Sequence, residues 1–119
     1  MSPDLGRCRW FVSRESALSV FAALLIACAS GLREPTAADV ELLRSRYADA
    51  SLAQLSRGRS LYAARCAGCH VLESPGSLAP ETWRGEVREM REQRGVVLDG
   101  TEAEAIVRYL EAVSSHSAR

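Results

Sequence analysis

Residues 66–70 read Cys-Ala-Gly-Cys-His, and no other stretch constrains the chain as tightly. Two cysteines stand three apart, close to one helical turn, and a histidine follows the second at once. Three chemistries use such a stretch: a redox dithiol, half of a zinc site, or a covalent attachment point for haem. They differ in the compartment, the secondary structure and the further ligands they demand, so the rest of the chain can decide among them.

The compartment is read from the first thirty residues. Arg7, Arg9 and Arg14 face Asp4 and Glu15, and no charge follows from Ser16 to Leu32. The apolar run Ala17–Ala27 has the length of a signal-peptide core and falls short of the roughly 20 residues that span a bilayer. Leu25-Ile26-Ala27-Cys28 resembles the lipobox of bacterial lipoproteins. That resemblance implies an acylated Cys28 as the mature N-terminus and a membrane anchor made of lipid. Two readings compete with it. Ala27-x-Ala29 fits ordinary signal cleavage before Ser30, and the run could also stay as an uncleaved anchor. All three place the remainder outside the cytoplasm. Residues 1–27 therefore leave the fold problem as a signal peptide, and Cys8 leaves with them.

Residues 28–50 read as a tether, "CASGLREP", and an N-terminal helical extension capped by Thr36 with Asp39 as its acidic partner. Val40, Leu43 and Tyr47 form the apolar stripe of that extension. Ser51 caps a second helix that carries Leu52, Leu55, Arg59, Tyr62 and Cys66 at helical intervals. Gly58 inside it costs about 1 kcal/mol against Ala, which makes sense where another backbone comes close. After a loop punctuated by Pro75, Gly76 and Pro80, a third helix aligns Trp83, Val87 and Met90, and Gly95 stops it. Thr101 with Glu104 makes a capping box for a last helix whose stripe is Ala105/Ile106, Tyr109/Leu110 and Val113. With no strand longer than Val96–Leu98, the expected class is all-α. Formal charge is zero, from 15 Arg and 15 acidic residues without a like-charge block, so no nucleic-acid surface is expected. A core of roughly 70–85 residues is marginal for independent folding, and a bound cofactor would supply the missing burial.

Zinc needs four ligands. Beyond Cys66 and Cys69 the mature chain offers His70, His116 and Cys28, and His70 follows Cys69 too closely to share one tetrahedral centre well. A thioredoxin-like dithiol needs a βαβ setting, and this chain is helical. Haem uses every residue of the motif: both thiols add across the two vinyl groups, and the histidine binds the iron. Such attachment in bacteria requires export, which the N-terminus indicates independently. The expected cofactor is one haem c, covalently held by Cys66 and Cys69, with His70 as the proximal iron ligand.

With those residues in hand, 55–113 resemble a small bacterial class I cytochrome c: "LSRGRSLYAARCAGCH", a loop, "WRGEVREM", and "LDGTEAEAIVRYLEAV". The resemblance implies a cytochrome domain over 51–116 whose first and last helices cross beside the haem edge, Gly58 and Tyr62 meeting Ile106 and Tyr109. It implies Met90 as the distal iron ligand, with His116 or an open position as the competing arrangements and an ordinary core methionine as the plainest one. A proline carbonyl would hold the proximal histidine, Pro80 being favoured over Pro75 by position. Trp83 would cover the haem or donate to a propionate, or serve simply as core. Arg84 or Arg88 would pair with propionates, or lie on a solvated helix face. Only 19 residues separate His70 from Met90, as in compact bacterial forms, and the 49 residues after His70 argue against four-helix cytochromes. The implied function is a periplasmic, membrane-tethered electron carrier that exchanges electrons with redox partner proteins. The alternatives are a haem sensor or ligand binder with an open sixth position, and a haem subunit of a larger oxidoreductase. No nucleophile–base pair is visible, so no catalytic activity of its own is expected.

Overall fold

The computed structural model describes residues 31–68 and 71–117. Cys8, Cys28, Cys69, His70 and the expected signal segment 1–27 lie outside the described residues. Among the described residues are four helices: α1 (Ala37–Arg44), α2 (Leu52–Cys66), α3 (Trp83–Gln93) and α4 (Gly100–Ser117). Two 3₁₀ turns, Pro75–Ser77 and Pro80–Thr82, lie between α2 and α3, and no strand occurs among the described residues. The expected all-α class is what the chain adopts.

Most helix starts obey the caps read from sequence. Asp39 accepts the Thr36 backbone N–H at 2.7 Å and its hydroxyl at 2.7 Å. Ser51 accepts the Gln54 N–H at 3.3 Å. Pro80 opens the turn that leads into α3, and Gly95 ends that helix at φ +74°. The last helix differs. It starts two residues earlier than Thr101 implies, because Asp99 accepts the Glu102 N–H at 2.8 Å and Glu102 returns to the Asp99 N–H at 3.2 Å. Two overlapping acidic frames compete here, D-x-x-E and T-x-x-E. The earlier frame lets buried Leu98, just before the cap, and Ala103, four residues past it, join the same core cluster. Glu104 is left for Arg84 and Arg108. Asp99→Ala is expected to cost about 1 kcal/mol and Thr101→Ala close to nothing; urea denaturation of the two variants tests this.

Helix α4 is the centre of the fold and touches every other helix. Its expected stripe is buried, and so are Val107 in the same cluster and Ala112 on a further face, the latter because α1 covers a side that a two-helix packing would leave to water. One cluster joins Tyr62, Trp83, Val87 and Leu98 to Ile106, Tyr109, Leu110 and Val113. The second joins Val40, Leu43, Ala50 and Leu55 to Ala112. Leu52 does not belong to the stripe it was assigned: at the first position of α2 it is 46% exposed. At the crossing of α2 and α4 a Cβ on Gly58 would collide with the Ala105 carbonyl oxygen and lie 2.8 Å from the Tyr109 Cβ. That is the close backbone approach the glycine implied.

Residues 37–50 pack into the same compact unit as the helices that follow. The compact unit begins at Leu32. The Leu32 carbonyl accepts two bonds from Arg59, at 3.1 and 3.0 Å, and the Arg33 carbonyl accepts the Tyr109 hydroxyl at 2.8 Å. Asp39 is fully buried and binds the Arg33 guanidinium through both oxygens, at 2.9 and 3.1 Å. His116, in the last turn of α4, places its Nε2 3.0 Å from Asp39. Burial alone would raise the Asp39 pKa, but hydrogen bonds from Arg33 and Thr36 outweigh it and hold the carboxyl below its ordinary 3.8. A depressed folded value contributes stability above the unfolded pKa and loses it as pH falls through the folded one. Asp39→Asn is expected to cost about 1–3 kcal/mol at pH 7, the partial exposure of Arg33 keeping the figure from the upper end of buried pairs. The variant should also lose less stability than the wild type as pH falls below the ordinary carboxylate range; denaturation series at fixed pH values check both.

Candidate functional site

Helix α2 delivers Tyr62 and Cys66 to one wall of a cavity of about 470 Å3, and α3 delivers Trp83, Val87 and Met90 to the same space. The volume lies within the range of about 300–1,000 Å3 usual for cofactor and ligand sites. The helical spacing foreseen from sequence explains both walls: Tyr62 and Cys66 are four apart, and Trp83, Val87 and Met90 fall at i, i+4 and i+7. The lining is mostly apolar, with four charged side chains, Arg65, Glu73, Glu86 and Arg94.

Two aromatic side chains fix the loop that follows the cysteine motif. The Tyr62 hydroxyl donates to the Glu73 carbonyl at 2.8 Å, and the Trp83 indole N–H donates to the Pro75 carbonyl at 3.1 Å. Their rings meet edge to face with centroids 6.2 Å apart. Burial pushes the Tyr62 phenol up to about 12, so it stays a neutral donor at ordinary pH. The cavity end of α3 is closed by the turn at Gly95. Beyond it Val96 and Leu98 return to the cavity while Val97 between them is 82% exposed, an extended alternation.

Cys66 is half-buried, and burial raises its thiol pKa above the ordinary 9.0. A dithiol built to attack disulfides needs the opposite, a stabilised thiolate in an electropositive setting. Among the described residues no group of three His, Cys, Asp or Glu side chains gathers to hold a metal ion.

Of the residues singled out from sequence, Cys66, Tyr62, Trp83 and Met90 come together around one space. Cys69 and His70, the rest of the motif, lie outside the described residues. Pro80 does not line the cavity; its carbonyl accepts the Trp83 backbone N–H at the start of α3. Trp83 donates its one N–H to Pro75 and lines the cavity wall. Arg84 faces away from the cavity. It binds Glu104 at 2.9 Å and the Tyr47 hydroxyl at 2.6 Å, and that hydroxyl donates to buried Glu111 at 2.9 Å. Arg88 is exposed and does not line the cavity, and His116 is held at Asp39. Sequence reasoning missed Arg65 and Arg94 at the cavity; the adjacency of Arg65 to Cys66 was the available signal.

Of the four donors expected from sequence for a haem, the described residues include Cys66 and Met90, and these two fit. The sulfur-bearing side chains of Cys66 and Met90 share a largely apolar space walled by aromatic rings, the setting that thioether attachment and soft axial ligation use. No helix among the described residues is long and apolar enough to cross a membrane. No family model matches the chain, and comparisons with curated proteins and with solved structures gave no match.

Proposed function

We propose that this protein is a single-haem electron carrier of the class I cytochrome c kind, working on the periplasmic side of a membrane to which an acylated Cys28 tethers it. One observation carries the reading: Cys66, the first residue of the Cys-x-x-Cys-His motif, and Met90, the one methionine beyond the signal segment, line the same apolar cavity. A haem held there supplies one-electron redox chemistry. In this reading Cys66 and Cys69 hold it covalently, and His70 and Met90 are its axial ligands. A thioether at the sixth position raises the potential relative to a second histidine.

The chain's own contribution is exclusion of water and rigidity. Tyr62, Trp83 and Val87 cover apolar surface that would otherwise meet solvent. The two hydrogen bonds onto Glu73 and Pro75 hold the loop that leaves the motif. Ligands that stay in place in both oxidation states leave little to rearrange during transfer. Redox partner proteins dock transiently, through small and wet interfaces. No step of substrate turnover is assigned.

The test is a set of visible spectra of the mature protein made with cytochrome c maturation: oxidised, reduced, and reduced under carbon monoxide. The weak long-wavelength methionine–ferric band, with a reduced spectrum indifferent to carbon monoxide, is the expected outcome. A reduced spectrum that shifts under carbon monoxide would transfer the assignment to a ligand-binding or sensing cytochrome.

A further inference from the structure

Met90 belongs to the last turns of α3, and its backbone is tied into the reversal that follows. Its carbonyl accepts the Arg94 N–H at 3.3 Å and the Val96 N–H at 3.2 Å. Between those two donors stands Gly95 at φ +74°, the one residue with positive φ among those described. The same reversal brings Arg94, Val96 and Leu98 to the cavity that Met90 lines. We infer that the left-handed turn at Gly95 holds Met90 in the cavity and sets how readily its sulfur yields to an incoming ligand. This rests on the reading of Met90 as an axial ligand and goes beyond it by naming the positioning residue.

A Cβ at Gly95 would meet no atom within 4 Å, so crowding is not what requires glycine there. The backbone conformation is. Left-handed φ is free for glycine, tolerated by asparagine, costly for alanine and worst for a β-branched residue. A side chain at 95 thus acts through one variable. Its strain exists while the turn is closed and is released when the turn opens, and opening withdraws the Val96 N–H from the Met90 carbonyl. The open population should then rise by about 5- to 30-fold in Gly95→Ala, which is a left-handed penalty of about 1–2 kcal/mol converted at about 1.4 kcal/mol per decade. Apparent affinity for a ligand that binds only the open form rises by the same factor.

Cyanide titration of the ferric holoprotein reads this. The expected order of apparent affinity is wild type, then Gly95→Asn close to it, then Gly95→Ala, then Gly95→Val. Leu55→Ala, in the second core cluster, destabilises the fold without touching the turn and should leave cyanide affinity as in the wild type. Should Gly95→Val not fold, the Asn and Ala variants still give the comparison. Equal affinity in the wild type, Gly95→Asn and Gly95→Ala would overturn the inference, as would a Leu55→Ala affinity raised as much as that of Gly95→Ala. A ferric wild type without the methionine band is a separate result: it removes Met90 from the iron and takes the inference with it.

Discussion

Gly58→Ala is expected to cost the domain about 3 kcal/mol or more, although alanine is the better helix former by about 1 kcal/mol. The added methyl would strike the Ala105 carbonyl oxygen and press on the Tyr109 Cβ. Both belong to the backbone or stem of α4, so no flexible side chain can swing away. Relief requires α2 and α4 to separate along the crossing that seats Leu55, Tyr62, Ile106 and Tyr109 in the interior. Gly85→Ala is the counterpart. It lies inside α3, is exposed, and has nothing within 4 Å of an added Cβ. It should stabilise by about 0.5–1 kcal/mol. Guanidinium denaturation followed by far-ultraviolet circular dichroism measures both. Opposite signs for the same chemical change would locate the close approach at Gly58; a neutral Gly58→Ala would contradict the crossing.

Met90→Ala is expected to abolish the methionine–ferric band outright and to let carbon monoxide bind the reduced protein. The side chain is half-buried on the face shared with Trp83 and Val87, so its truncation also removes some packing. A core methionine would leave the wild type itself without the band, and its truncation would only lower stability, by about 1–3 kcal/mol. The spectrum therefore separates a ligand from a core methionine. His116, the competing ligand in the sequence reading, is held 3.0 Å from Asp39 and does not line the cavity. His116→Ala should leave the band unchanged.

How much of this was legible in the sequence depends on the range over which each feature is determined. Thr36 with Asp39, Ser51, Pro80 and Gly95 act on neighbours within a few residues, and all four mark the boundaries they implied. Helical period alone brought Tyr62 with Cys66 and Trp83 with Met90. The cap of α4 misled because two valid frames stand two residues apart and burial of Leu98 chose between them. The docked segment from Leu32 could not be foreseen, since its partners Arg59 and Tyr109 lie 27 and 76 residues away from the carbonyls they bind. The partners of Arg84 were out of reach of the sequence for the same reason. Its contacts with Tyr47 and Glu104 depend on how α3 meets α4 and on where the chain after α1 lies, which no local pattern encodes.

Those features decide the architecture, but the functional reading hangs on one covalent fact. Trypsin cuts after Arg65 and next after Arg84, which isolates a single peptide, 66–84, holding both cysteines of the motif and His70. The measurement is the mass and visible absorbance of that peptide from protein produced with cytochrome c maturation. The account predicts one haem bound through both sulfurs, so that the peptide carries the haem mass, absorbs in the Soret region and resists alkylation at Cys66 and Cys69. A colourless peptide at its unmodified mass, with two thiols open to alkylation, would contradict the account and return the motif to thiol chemistry.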